Sequence, residues 1–551
     1  MKGSRRGSTK WKRIWSKPLV DLSASHPRTE PVPHPLENSG AGKWFLPVLA
    51  VVLLSGLAYV AYALAQDLTS AAAVPWVLLG LALLIALGFE FVNGFHDTAN
   101  AVATVIYTRS MPAEFAVIWS GLFNFLGVLT SSGAVAFGIL ALLPVELILQ
   151  VGSGSGLAMV FALLSAAIIW NLGTWYFGLP SSSSHTLIGS IIGVGLANQF
   201  LAPAGTATSG VDWSQATSIG LSLLVSPLIG FGFAALLLLA MKFFVRNQAL
   251  YQEPKSSAPP PLWIRGLLIF TCTGVSFAHG SNDGQKGMGL IMLILIGLVP
   301  TAFALNRTPD VNYLEAYKTA SAQVETALGK YVKPGATVTD AKKVVGDAVR
   351  SKTWSDQTTP ALQQFIHQTS AEVAAFPTLE AVPNEMVGNV RNDIYLIGEA
   401  LKLIDKNKLL PMEEADLAAV TSYHKAVDNA TKFIPTWVKV AVALALGLGT
   451  MIGWRRIVVT VGEKIGKTHL TYGQGAAAEV VAMVTIGAAD HFGLPVSTTH
   501  VLSSGVAGTM AANGSGLQWS TVRNMLVAWV LTLPASIAIA FVLYVILRQL
   551  F

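Results

Sequence analysis

Two near-matching segments stand about 315 positions apart in this 551-residue chain: Gly178-Leu179-Pro180-Ser181-Ser182-Ser183-Ser184-His185 and Gly493-Leu494-Pro495-Val496-Ser497-Thr498-Thr499-His500. Each sets a run of at least three consecutive hydroxyls and an imidazole inside strongly apolar sequence. A second pair accompanies them. Gly94-Phe95-His96-Asp97-Thr98-Ala99-Asn100 is echoed by Ala278-His279-Gly280-Ser281-Asn282-Asp283-Gly284. A polar cluster used twice in a duplicated hydrophobic chain is what a membrane transporter built from repeat halves requires.

The bulk numbers agree. The chain is 52% hydrophobic and only 12% charged, against roughly 25% charged in a soluble domain. An all-α polytopic membrane protein is expected, multi-pass in the cell inner (plasma) membrane. The net charge of +6 does not point to nucleic acid, because the basic excess sits in an N-terminal arm and in short loops, where the positive-inside rule puts it. The single cysteine, Cys272, excludes an internal disulfide.

Charge also divides the chain. Residues 1–43 hold 9 of the 36 Lys+Arg and read as a disordered basic cytoplasmic arm. Residues 44–245 form a first transmembrane repeat, with apolar stretches at about 44–64, 74–107, 113–143, 157–178, 180–200 and 216–245. The stretch 44–64 is long enough to span and reads as a retained span rather than a signal peptide. Residues 246–261 are a cytoplasmic linker, and 262–300 start the second repeat. Residues 301–433 carry 14 Lys+Arg beside 16 of the 30 Asp+Glu. They read as a small helical insert, in pieces at 312–331, 359–375, 384–406 and 411–432. Residues 434–551 complete the second repeat, at about 434–453, 473–492, 494–513 and 522–548. With the arm inside, Lys242, Arg246, Lys255 and Arg265 mark the mid-chain break as cytoplasmic. The span with Asp283 then runs opposite to the span with Asp97, which makes the halves inverted repeats and the insert extracytoplasmic.

A charge at the centre of a span costs at least ~2.5 kcal/mol, so such residues are site candidates by default. Asp97 and Asp283 are the best placed; Glu90, Lys286, Glu479 and Asp490 follow. A lone Ser in a membrane helix usually bonds back to its own helix. Here the runs Ser182–Ser184 and Ser497–Thr499 each follow a proline, and the pattern occurs twice. A helix start offers unpaired N–H groups pointing forward. Adding hydroxyls makes an anion cradle, and two such starts facing each other suit a tetrahedral oxyanion. Two aspartates repel that anion unless a proton, sodium ion or metal intervenes. A protonated oxyanion such as phosphate donates to a carboxylate, and ionised sulfate does not. His185 and His500 read as proton carriers or anion contacts on one view, and as structural hairpin clamps on the other. Lys286 reads as a charge partner for Asp283, or as a lysine near a helix end that snorkels to the interface. A hydrolytic triad is disfavoured: no Gly-x-Ser-x-Gly turn is present, and both halves carry the same set.

At these residues the chain resembles the inorganic phosphate transporter (PiT) family, which has two Gly-x-Asn-Asp-x-x-Asn-type motifs and two Pro-x-Ser-x-x-His-type hairpins. Asp97 and Asn100 match the first motif, and Asn282 and Asp283 the second. Ser182 to His185 and Ser497 to His500 match the hairpins. The resemblance covers nearly all of 74–300 and 434–548 and is closest to the bacterial low-affinity Pit branch. It implies a homodimer of inverted-repeat protomers, with broken helices and two re-entrant hairpins meeting at mid-membrane. It implies uptake of inorganic phosphate with protons, alone or as a neutral metal–phosphate complex, and no resident cofactor. The implied substrate residues are Asp97, Thr98, Asn100, Ser182, Ser183, Ser184, Asn282, Asp283, Ser497, Thr498 and Thr499. Coupling falls to Asp97, Asp283, Glu479, His185 and His500. The chain departs from the family at His96 and at Gly284-Gln285-Lys286. It has Asn124 near the place where sodium-coupled members carry a Glu, which favours a proton. The alternatives are a sodium-coupled phosphate or sulfate/oxyanion symporter, and a phosphate receptor without flux.

Overall fold

The computed structural model describes Leu36 and residues 45–551, except 72–73, 144, 204–209, 255–257, 308–311 and 336–337; side chains at 45–46, 70, 97–100, 146 and 406–407 also stay undescribed. The basic arm 1–43 thus lies outside the described residues, Leu36 apart.

Among the described residues the chain is helical throughout. The first half comprises α1 (Phe45–Asp67), α2 (Trp76–Tyr107), α3 (Ala113–Thr130), α4 (Ala134–Leu140), α5 (Val145–Leu149), α6 (Gly154–Tyr176), α7 (Ser183–Phe200) and α8 (Trp213–Phe244). Next come α9 (Leu262–Leu298) and α10 (Pro300–Phe303). The insert holds α11 (Tyr313–Gly329), α12 (Ala341–Ser351), α13 (Thr358–Ala374), α14 (Asn384–Asn407) and α15 (Glu414–Thr431). The chain ends with α16 (Thr436–Gly453), α17 (Arg455–Glu463), α18 (Tyr472–His491), α19 (Thr498–Asn513) and α20 (Trp519–Leu547). Eight helices among the described residues are long and apolar enough to cross a membrane. Pro75, Pro112, Pro261 and Pro435 stand immediately before α2, α3, α9 and α16. A proline has no N–H to donate backwards and its ring blocks the preceding turn, so each marks a sharp start.

The stretch 113–143, expected as one span, is broken at Ser131–Gly133, where Gly133 takes φ +88°. The freed backbone groups find partners, as they must away from water. Lys439 Nζ donates to the Ser131 carbonyl at 2.8 Å, and the Val135 N–H donates to Gln285 Oε1 at 2.9 Å. The helices carrying the two aspartate motifs, α2 and α9, run unbroken.

The halves exchange contacts reciprocally. α3 packs along α9 as α16 packs along α2, and α7 packs along α20 as α19 packs along α8. Glycines set these crossings. A Cβ on Gly94 would stand 2.4 Å from the Leu446 carbonyl oxygen, and one on Gly280 would stand 2.1 Å from that of Asn124. Gly193 and Gly508 do the same in α7 and α19, against the carbonyls of Ile537 and Phe231. In membranes small residues let backbones approach this closely, and packing rather than hydrophobicity drives association. α8 and α20 each contain an internal proline, Pro227 and Pro534.

The insert packs around Val324, Phe365, Ile397 and Val420, continuous with the transmembrane core, with Tyr317 and Tyr423 hydroxyls bonded at 3.0 Å. The Asn306 N–H donates to the Ala430 carbonyl at 2.8 Å. The two ends of the insert therefore meet, as an insertion between consecutive spans needs. Lys352 pairs with Asp212 at 2.5 Å and ties the insert to the start of α8.

Candidate substrate site

Both hydroxyl segments fold by the same local logic. Helix α6 ends where Gly178, at φ +66°, turns the chain, with the Leu179 N–H returning to the Thr174 carbonyl at 3.0 Å. Helix α18 ends the same way at Gly493, φ +65°, with Leu494 returning to Ala489 at 2.9 Å. This left-handed closure accepts glycine at no steric cost. A proline follows, then a serine cap. Ser182 Oγ accepts the His185 N–H at 3.2 Å, and Ser497 Oγ accepts the His500 N–H at 3.1 Å. The first hydroxyl of each run therefore satisfies its own helix. The next two in each run stand on the first turn, whose N–H groups have no partner within the helix.

The two helix starts meet. Ser184 Oγ donates to the Val496 carbonyl at 2.6 Å, crossing from one hairpin to the other. The His185 and His500 rings lie 4.6 Å apart, and His500 stacks on Trp529 at 4.1 Å. Trp529 Nε1 donates back to the Pro180 carbonyl at 2.9 Å, fixing one hairpin against α20. Ser183, Thr498 and Thr499 are buried beside these contacts. Among the described residues the Thr498 hydroxyl makes no hydrogen bond, nor do His185 Nδ1 and His500 Nε2. Buried polar atoms without partners are rare in folded proteins, and three of them gather here.

The hairpins also face opposite ways. The Gly178 carbonyl accepts from Thr460 of α17 at 2.9 Å. Gly493 instead lies against Ala134 and looks toward the insert. The insert joins the start of α16, and α17 follows its end, about 27 Å away for 18 helical residues.

The second aspartate motif joins this meeting point. Lys286 Nζ lies 2.7 Å from Asp283 Oδ2 and donates to Ser184 Oγ at 2.6 Å, so one ammonium links α9 to the start of α7. Both members of the ion pair are fully buried. Asn282 Nδ2 donates to the Leu494 carbonyl at 3.1 Å and ties the motif to the second hairpin. His279 Nε2 stands 3.5 Å from Asp283, while its Nδ1 meets Asn124 Oδ1 at 2.5 Å. Glu90 is buried beside Asn93, with one carboxylate oxygen unpartnered, and Gly287 of α9 crosses over it. Asp97, Thr98 and Asn100 lie on the backbone of α2, and their side chains fall outside the described residues.

Two expected candidates go elsewhere. Glu479 accepts from Thr104 and Thr271 in a buried pocket between α18, α2 and α9. Thr104 is seven residues beyond Asp97 and Thr271 twelve before Asp283, roughly 10 and 18 Å along their helices. The structure does not bring Glu479 to the hydroxyl runs. Asp490 accepts from Ser281 and Gln285, both at 2.6 Å, and clamps the end of α18 to α9. Lys286 stands outside the substrate set expected from sequence, and nothing in the sequence indicates its reach to Ser184, 102 positions earlier.

The sequence profile of the phosphate transporter family (PHO4) matches residues 93–540. The chain belongs to this family. Relatives include the low-affinity inorganic phosphate transporter PitA of Escherichia coli K12, 43% identical over 490 residues covering 84% of this chain and 96% of the relative. PitB of the same strain is 41% identical over 502 residues, covering 86% and 97%. A probable low-affinity inorganic phosphate transporter of Bacillus subtilis is 29% identical over 479 residues, covering 86% and 99%. A solved structure, a sodium-dependent phosphate transporter, aligns at TM-score 0.48 and 18% identity over 86% of this chain and 100% of its own. Membership of the phosphate transporter family puts this multi-pass membrane protein among transporters, not enzymes.

Proposed function

We propose that the chain takes up inorganic phosphate by secondary active transport across the inner membrane, in symport with protons. Its two halves act as inverted repeats that expose the meeting point of the hairpins to one side and then the other. The observation that carries this reading is Lys286. Two aspartates beside an anion site pose a repulsion problem, and the Lys286 ammonium neutralises Asp283 within reach of Ser184. The first-turn N–H groups and the Thr498 hydroxyl then supply neutral donors to the oxyanion. The opposed outlooks of the hairpin tips support inversion. Asn124, where a carboxylate would favour sodium, meets His279 instead, which supports a proton. A neutral metal–phosphate complex as cargo, and assembly as a homodimer, belong to the same reading.

Uptake of radiolabelled phosphate into proteoliposomes tests it. Flux is expected to persist when choline replaces sodium and to rise with an inward proton gradient. Arsenate is expected to compete and sulfate not. Binding without flux would establish a receptor instead.

Thr498→Val removes a hydroxyl that makes no hydrogen bond among the described residues while keeping its shape. A hydrogen bond to a charged group is worth ~1.5–3 kcal/mol, so KM for phosphate is expected to rise about tenfold or more with the melting temperature unchanged. Ser497→Ala contrasts with it, because that hydroxyl is a cap whose loss costs about 1 kcal/mol of stability.

A further inference from the structure

The insert meets the transmembrane body around a cavity of about 670 Å³. Its floor includes Gly493 and Leu494, the turn of the second hairpin, whose Leu494 carbonyl is held by Asn282. Its upper wall comes from α14 and α15. Two of the wall's cations are matched: Lys432 pairs with Asp428 at 2.7 Å, and Lys402 with Glu399 at 3.6 Å. Arg391 is not. It is 5% exposed, and among the described residues its Nη1 reaches only the Ile148 carbonyl at 3.4 Å and Asn392 Oδ1 at 3.0 Å, and its Nε has no partner. Its guanidinium lies 4.8 Å over the Tyr395 ring, and among the described residues no carboxylate is within ion-pair distance.

A buried cation is expensive unless something anionic accompanies it. The matched lysines show that this wall pairs its other charges. An arginine with a free edge is shaped for two parallel bonds to a tetrahedral oxyanion. We propose that Arg391 anchors an outer holding site for inorganic phosphate, in the cavity between the insert and the second hairpin, ahead of the hydroxyl runs. This rests on the transport reading above, and under it the insert gathers substrate over the extracytoplasmic mouth. The opposite mouth has an arginine too, since Arg456 donates to the Tyr176 carbonyl beside the first hairpin.

The test is the initial rate of phosphate uptake by the full chain in proteoliposomes, over a range of external phosphate, for wild type, Arg391→Gln and Arg391→Lys. Arg391→Gln is expected to raise KM about tenfold, as loss of a charge-assisted contact does, with Vmax within about twofold. Arg391→Lys falls between, and raising the salt concentration moves the wild-type KM toward that of Arg391→Gln. An unchanged KM in Arg391→Gln, or a loss confined to Vmax with a lowered melting temperature, overturns the holding site and leaves a structural arginine. Absence of uptake by the wild type refutes the transport reading itself, so the two failures are separable.

Discussion

Lys286→Met is expected to cut phosphate uptake by about 100-fold or more. The substitution keeps the length and apolar stem of the side chain and removes only the ammonium. That ammonium is fully buried, 2.7 Å from Asp283 and 2.6 Å from Ser184. Removing one member of a buried pair leaves the other uncompensated, at a cost of ~3–5 kcal/mol. Asp283 would then face the anion path with only the His279 imidazole, 3.5 Å away, beside it. Asp283→Asn is expected to abolish concentrative uptake for the converse reason, leaving an unmatched cation that holds phosphate rather than releasing it. The double variant Asp283→Asn/Lys286→Met is expected to regain the melting temperature lost by Lys286→Met, because no lone charge remains, yet to stay inactive. Wild-type uptake in Lys286→Met would remove the ion pair from the mechanism. Equal loss of stability in the single and double variants would show that packing, not charge, explains the effect.

Gly280→Val is expected to abolish folded protein in the membrane. The new Cβ would stand 2.1 Å from the Asn124 carbonyl oxygen and 2.7 Å from the Asn124 Cα, both backbone atoms of α3. A side-chain clash relaxes by rotating a bond, but this one requires two helices to part. Overpacking a well-fitted core costs ~1–3 kcal/mol, and a backbone clash lies at or above the top of that range. Parting α3 from α9 would also pull Asn124 from His279. Gly266, on the same helix, has open space where a Cβ would go, so Gly266→Ala is the internal control and is expected to express and melt like wild type. Comparable expression and melting of Gly280→Val and wild type would contradict the close crossing of α3 and α9.

The duplication is legible in the sequence because it rests on local chemistry. Gly-Leu-Pro followed by hydroxyls encodes a helix stop, a turn and a capped start wherever it occurs, and the structure uses it twice in the same way. Most spans are legible from length and apolarity. The break at Ser131–Gly133 is not, since its backbone is satisfied by Lys439 and Gln285 from distant helices. In the insert, α12 is missing from the expected helical pieces, although Asp340 caps it and Val345, Ala348 and Val349 face its core. Eleven residues give too short a period beside the neighbouring Pro and Gly. The roles within the hydroxyl runs are only partly legible: composition shows three hydroxyls, but only geometry shows that Ser182 and Ser497 are engaged as caps. Arg391 carries no sequence signal, because its separation from the carboxylates among the described residues is a property of the assembled wall.

Arsenate, with its anomalous X-ray signal, locates the oxyanion directly. In crystals of the protein grown with arsenate, an anomalous peak is expected between the starts of α7 and α19, within hydrogen-bond distance of Thr498 Oγ1 and close to Lys286 Nζ. A peak found only outside the helix starts, with Thr498 and Lys286 unchanged, would contradict the central claim that paired helix starts hold the substrate.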